Sequence, residues 1–88
     1  MKDVSVLGAG SWGTALAIHL ARLGKSVRLW GRDPVLIGRL REERINPTYL
    51  PGVTLPPTVS PTDSLERALN GTSCVVWAIP SHATREAL

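Results

Sequence analysis

The sequence predicts an α/β fold, a parallel sheet with helices on its faces, and three observations lead there. Short apolar runs recur along the chain: VSVL (4–7), SVRLW (26–30) and SCVVWAIP (73–80). Stretches of helical period stand between them, and glycine, proline or a capping residue marks each changeover. Strands that alternate with helices are joined by right-handed crossovers, which gives parallel pairing. At 88 residues the chain holds one small domain, of a size that buries only about 60–65% of its unfolded surface.

The first run, VSVL, is β-rich and stops at Gly8, as a buried strand does. A helix is expected from Ser11 to Leu23, with Trp12, Leu16, Leu20 and Leu23 on one face, Ala15, Ala17 and Ala21 allowing close approach, and Gly24 as its stop. SVRLW forms the second strand. Asp33 then caps a helix that Pro34 opens and that runs to about Arg44, with Leu36, Ile37 and Leu40 toward the sheet. Residues 46–61 carry five of the seven prolines and hold little helix, although TVS (58–60) suits a short edge strand. Asp63 or Thr62 caps a short helix reaching about Asn70, with Leu65, Ala68 and Leu69 inward and Gly71 ending it. SCVVWAIP reads as a fully buried strand. SHATREAL begins another helix after Pro80, with Ser81 as its cap.

This order places Gly8, Gly10 and Gly13 directly after the first strand and at the mouth of the first helix, in G-x-G-x-x-G spacing. Gly8 allows a tight turn, Gly10 lets backbone approach a pyrophosphate, and Gly13 lets the helix pack closely on the sheet. N–H groups of the helix's first turn then face the anion, which the helix dipole favours by about 0.3–1 kcal/mol. The pattern is that of a Rossmann-type dinucleotide fold, of which the chain holds strands one to four of the order 3-2-1-4-5-6.

NAD-binding sheets usually end their second strand in a carboxylate that accepts hydrogen bonds from the adenosine ribose. Here the strand ends LWGRD, with Gly31 at the carboxylate's place and Arg32 next to it. A guanidinium beside a glycine admits a 2′-phosphate through charge-assisted hydrogen bonds, so NADP is favoured over NAD. Asp33 lies at the usual distance from the glycine loop, but Pro34 after it makes capping its expected task.

The segments GAGSWGTALA, LWGRDP, RINPTYLPGVTLPP and WAIPSHATREAL together resemble the amino-terminal region of the bacterial-type NAD(P)-dependent glycerol-3-phosphate dehydrogenases, over essentially the whole chain. The tryptophan inside the glycine loop and the N-x-x-Y-L-P-G segment, Asn46 to Gly52, are its most specific parts. The resemblance implies a cytoplasmic enzyme, expected as a homo-oligomer, that interconverts dihydroxyacetone phosphate and sn-glycerol 3-phosphate for phospholipid synthesis. It also implies cofactor contacts at Ser11, Trp12, Arg32 and Tyr49, beside the loop glycines. Two roles are open to Trp12, flanking the cofactor or starting the core face of its helix. Two are open to Tyr49, cofactor contact or packing of the proline-rich excursion. The family's substrate-binding lysines lie further along its sequence, so the 88 residues are expected to be the amino-terminal part of the cofactor domain, with no catalytic residue of their own.

Composition narrows the alternatives. The +3 net charge comes from basic residues spread along the chain without aromatic interleaving, which argues against nucleic acid. No apolar run approaches the length of a spanning helix, and the single Cys74 suits a reducing compartment. Ser81 and His82 lack a positioned acid that would complete a nucleophilic triad, His19 reads as a surface residue, and no metal-ligand spacing is present. The competing functions are another Rossmann dehydrogenase with a hydroxy-acid or sugar substrate, and a nucleotide-sensing module without chemistry.

Overall fold

The computed structural model describes residues 3–46 and 50–78. Strands β1 (Asp3–Leu7), β2 (Ser26–Trp30), β5 (Val59–Thr62) and β6 (Cys74–Trp77) form one parallel sheet in the order β5-β2-β1-β6. Because β5 and β6 are its third and fourth strands in chain order, this is the expected 3-2-1-4 arrangement. Helices α1 (Ser11–Arg22) and α2 (Pro34–Glu43) lie on one face and α3 (Leu65–Leu69) on the other. Right-handed crossovers require this division, since the chain crosses the sheet one way from β1 to β5 and the opposite way from β5 to β6.

The parallel register sets Val6 beside Leu29 and Val76, and Leu29 beside Pro61. Alternation turns Val6, Val27, Leu29 and Val59 to one face, where they meet Ala17, Ile18 and Ala21 of α1 and Ile37 and Leu40 of α2. Each fully buried large aliphatic side chain there contributes about 1.5–3 kcal/mol.

Helix α1 spans the expected residues but turns a different face to the sheet. Its buried side is Gly13, Thr14, Ala17, Ile18 and Ala21, while Trp12 and Leu23 are 61% and 62% exposed and Ala15 faces solvent. The reason is the third glycine of the loop. A Cβ on Gly13 would stand 1.7 Å from the Gly8 carbonyl oxygen, so this residue marks the line of closest approach and small residues follow it along the helix. Thr14 and Ile18 share that line, whereas Leu16 and Leu20 flank it half-buried.

In α2, Asp33 Oδ1 accepts from the Val35 N–H at 3.0 Å, as a capping residue before proline should. Across one turn Arg39 Nε donates to Glu43 Oε2 at 2.9 Å, and this hydrogen bond holds the Glu43 carboxyl below its ordinary range. The cap of α3 is neither Asp63 nor Thr62 but Ser64, whose Oγ accepts from the Arg67 N–H at 3.2 Å. Thr62 Oγ1 instead accepts from the Ser64 N–H, tightening the turn ahead of the helix. Ala68 is buried, but Leu65 and Leu69 are exposed, because α3 meets the sheet through a polar anchor: Ser5 Oγ donates to the Ala68 carbonyl and lies 2.9 Å from Thr72 Oγ1.

The proline-rich stretch holds more structure than its composition suggests. Strands β3 (Ile45–Asn46) and β4 (Leu50–Thr54) pair antiparallel in a separate ribbon with an irregular register between Ile45 and Asn46. A two-stranded ribbon consists only of edges, where proline is tolerated. Beyond it the sheet ends at β5, and this edge is closed. Thr58 and Thr62 direct their carbonyls to β2, so the main-chain groups of Val59 and Pro61 point outward. The Val59 N–H donates to the Pro56 carbonyl at 3.0 Å, and its carbonyl accepts from Arg44 Nη2 at 2.8 Å. Pro61 has no N–H, and its carbonyl accepts from Arg41 Nε at 3.0 Å.

Strand β6 differs from its expected state. Its residues alternate between half-buried and exposed, with Val75 46% and Trp77 55% accessible. They share a face with Ser5 and Leu7, and on that face α3 packs mainly over β1, β2 and β5. Among the described residues no helix is long and apolar enough to cross a membrane.

Candidate functional site

The carboxyl ends of all four parallel strands meet along one edge of the sheet, which is where ligands of open α/β sheets bind. The glycine loop leaves β1 there. Gly8 has φ +125° and donates its N–H to the Trp30 carbonyl at 2.8 Å, so the turn needs glycine and is tied to the end of β2. Gly13 stands against Gly8, and its missing Cβ is what lets α1 start so near the strand. Gly10 is the N-cap of α1, and a Cβ built on it meets nothing within 4 Å. Packing therefore does not require glycine at position 10, whereas it does at 13.

The start of α1 also differs from those of α2 and α3. Those two carry capping side chains, Asp33 and Ser64, but Gly10 supplies none and the first turn of α1 contains no acidic residue. The first helical N–H groups have no acceptor within the helix, apart from that of Thr14, which donates to the Gly10 carbonyl at 2.9 Å. Open space over Gly10 beside uncapped N–H groups fits the pyrophosphate of a dinucleotide. Ser11 and Trp12 are exposed on this first turn, so Trp12 does not begin the core.

Arg32 is exposed in the turn between β2 and α2, at the same edge. Gly31 before it is buried, donates to the Thr62 carbonyl at 3.1 Å, and would bring a Cβ to 2.9 Å from Ala9 Cβ and 3.1 Å from Ile37 Cδ1. Its lack of a side chain is thus a packing requirement as well as a missing carboxylate. Trp30 Nε1 donates to the Asp63 carbonyl at 3.2 Å and joins the ends of β2 and β5. Tyr49, Ser81 and His82 lie outside the described residues. Among the described residues, no three His, Cys, Asp or Glu side chains gather as metal ligands.

One residue of the loop's surroundings escaped sequence reasoning. Asn46, at the end of β3, is fully buried, and its Nδ2 donates to the Ala9 carbonyl at 2.9 Å and to Thr14 Oγ1 at 2.8 Å. The signal was an asparagine at the head of an otherwise apolar and proline-rich stretch, where a buried amide needs partners.

The family model for the N-terminus of NAD-dependent glycerol-3-phosphate dehydrogenase matches residues 3–88. The chain belongs to this family. It is 54% identical over 85 residues to a glycerol-3-phosphate dehydrogenase (NAD(P)+) of Thioalkalivibrio sulfidiphilus, covering 97% of this chain and 26% of that protein. A relative of the same name from Moorella thermoacetica is 54% identical over 84 residues, covering 96% and 25%. The crystal structure of glycerol-3-phosphate dehydrogenase from Coxiella burnetii superposes with a TM-score of 0.91 at 38% identity, over 98% of this chain and 26% of that one. The chain thus spans about a quarter of the length of these relatives, and it shares its Rossmann-type topology with the Coxiella structure.

Proposed function

We propose that this chain is the dinucleotide-binding part of a cytoplasmic glycerol-3-phosphate dehydrogenase that interconverts dihydroxyacetone phosphate and sn-glycerol 3-phosphate and so feeds phospholipid synthesis. The observation that carries the reading is the glycine loop, with a tight turn at Gly8, open space over Gly10 and an uncapped helix start behind it. Family membership supports the substrate pair. The nicotinamide, when bound, supplies hydride chemistry. The residues here hold the cofactor: main-chain N–H groups of Gly10, Ser11 and Trp12 bind phosphate, and the exposed Trp12 indole flanks the dinucleotide. Tyr49 contacts the cofactor from the proline-rich excursion in the same reading.

Replacing Gly10 by valine in the full-length enzyme tests this. The side chain enters open space, so the fold persists, but it occupies the approach to the pyrophosphate. Fluorescence titration of the reduced dinucleotide should give at least a hundredfold weaker binding with an unchanged thermal midpoint. Undiminished affinity would refute the location of the phosphates.

Arg32 favours NADP in this reading through a charge-assisted contact with the 2′-phosphate, which contributes about 1.5–3 kcal/mol. Arg32→Ala should therefore lower the NADP to NAD ratio of kcat/KM by about ten- to a hundredfold. An unchanged ratio would make Arg32 a bystander. Gly31→Asp is the wrong probe here, because its Cβ collides with Ala9 and confounds affinity with stability.

A further inference from the structure

We propose that Asn46 is a positioning residue that fixes the orientation of the Ala9–Gly10 peptide, and so keeps the glycine loop in the form that receives phosphate. The inference rests on the dinucleotide reading of that loop. Of the two ends of the Asn46 amide only the nitrogen can face the Ala9 carbonyl, since an oxygen there would repel it. Both hydrogens of Nδ2 are then committed, one to Ala9 and one to Thr14 Oγ1. Thr14 Oγ1 in turn lies 3.4 Å from the same Ala9 carbonyl, toward which it donates. Two side chains from different elements, a ribbon and a helix, thus converge on one loop carbonyl. Asn46 and Thr14 are 0% and 1% exposed, so water does not compete for it.

A trans peptide is planar, with its C=O and N–H on opposite sides. Holding the Ala9 carbonyl toward the protein interior therefore aims the Gly10 N–H outward, over the start of α1. The alternative is a peptide flip, which rotates φ of the following residue by roughly half a turn. Gly10 has φ −75°, and the flipped value of roughly +105° is open to glycine and closed to most other residues. The glycine that clears space for the pyrophosphate thus also makes the loop able to turn a carbonyl oxygen against it. Asn46 removes that option. It also couples the cofactor loop to the β3–β4 ribbon, which otherwise stands apart from the main sheet.

The test uses Asn46→Leu, close in shape but without a donor, and Thr14→Val, which removes the hydroxyl and keeps the volume. Reduced dinucleotide is titrated into the full-length enzyme and each variant, with thermal midpoints and steady-state kinetics alongside. Asn46→Leu should weaken dinucleotide binding tenfold or more, with the loss falling on the dinucleotide KM rather than on kcat. Thr14→Val should show the same split at a few-fold. If Asn46→Leu does not fold, the Thr14→Val split decides. A lowered midpoint with wild-type affinity in the folded variants would overturn the positioning role and leave a structural one. If the wild-type enzyme itself bound no dinucleotide, the reading of the loop would fall instead, and the two failures are distinguishable.

Discussion

Exchanging Gly13 for alanine should strongly destabilise this segment, more than the same exchange at Gly10. The added Cβ would lie 1.7 Å from the Gly8 carbonyl oxygen, 2.9 Å from the Gly8 carbonyl carbon and 3.3 Å from Ala78 Cβ. The first two obstacles are backbone, so no rotamer change relieves them. Either α1 lifts from β1, opening the layer of Ala17, Ile18 and Ala21, or the glycine turn distorts and releases its bond to Trp30. Overpacking typically costs about 1–3 kcal/mol, and a backbone clash places this case at the upper end, out of a total of about 5–15 kcal/mol for a native domain. Urea denaturation of the full-length enzyme should give a strongly lowered midpoint or no soluble protein. Alanine at Gly10, three residues away, should leave the midpoint in place. Equal midpoints for the two variants would contradict the close approach described for Gly13.

The 88-residue chain alone should self-associate and show no turnover. Its sheet has two unlike margins. At β5 the outward groups of Val59 and Pro61 are met by Pro56, Arg44 and Arg41, and proline removes one donor altogether. Natural sheets end in this way. Strand β6 pairs with β1 on one side, and its sequence CVVW contains neither proline nor charge. Val75 and Trp77 add exposed apolar surface to one of its faces. A fifth strand beside β6, reached by a right-handed crossover, would carry its helix across that face, as the fold of a complete dinucleotide domain requires. The described residues provide no such cover, so another copy of β6 is the available partner. Sedimentation of the purified chain should therefore show dimers or larger species, and glycerol 3-phosphate should not be oxidised at any NADP concentration. A well-folded monomer would sink the first half of this expectation and measurable NADPH formation the second.

The sheet order was legible because its punctuation is local. Gly8, Gly24, Asp33-Pro34 and Gly71 each act within a few residues, and they bracket the strands and helices correctly. What depends on distant atoms was not legible. Counting large apolar residues put Trp12 and Leu23 on the buried side of α1, but the face is set by contact between Gly13 and a carbonyl five residues earlier. Composition made β6 a fully buried strand, since an apolar run records what a sheet is built to bury and carries no information on what covers it. The β3–β4 ribbon was hidden by its prolines, which forbid helix without forbidding an edge. In the site, the glycine spacing was readable, while Asn46 was not, because its partners lie 37 and 32 residues away.

The contact between Ala9 and Gly31 links two parts of the cofactor site that are usually considered separately. In the proposed reading one belongs to the phosphate loop and the other to the turn beside the adenosine ribose, and a Cβ added at Gly31 would lie 2.9 Å from that of Ala9. Mutations at these positions are therefore epistatic. An acidic residue at position 31 should be better tolerated in the Ala9→Gly background than alone. In the proposed reading, selectivity between the two dinucleotides at position 31 is thus coupled to the methyl group of Ala9.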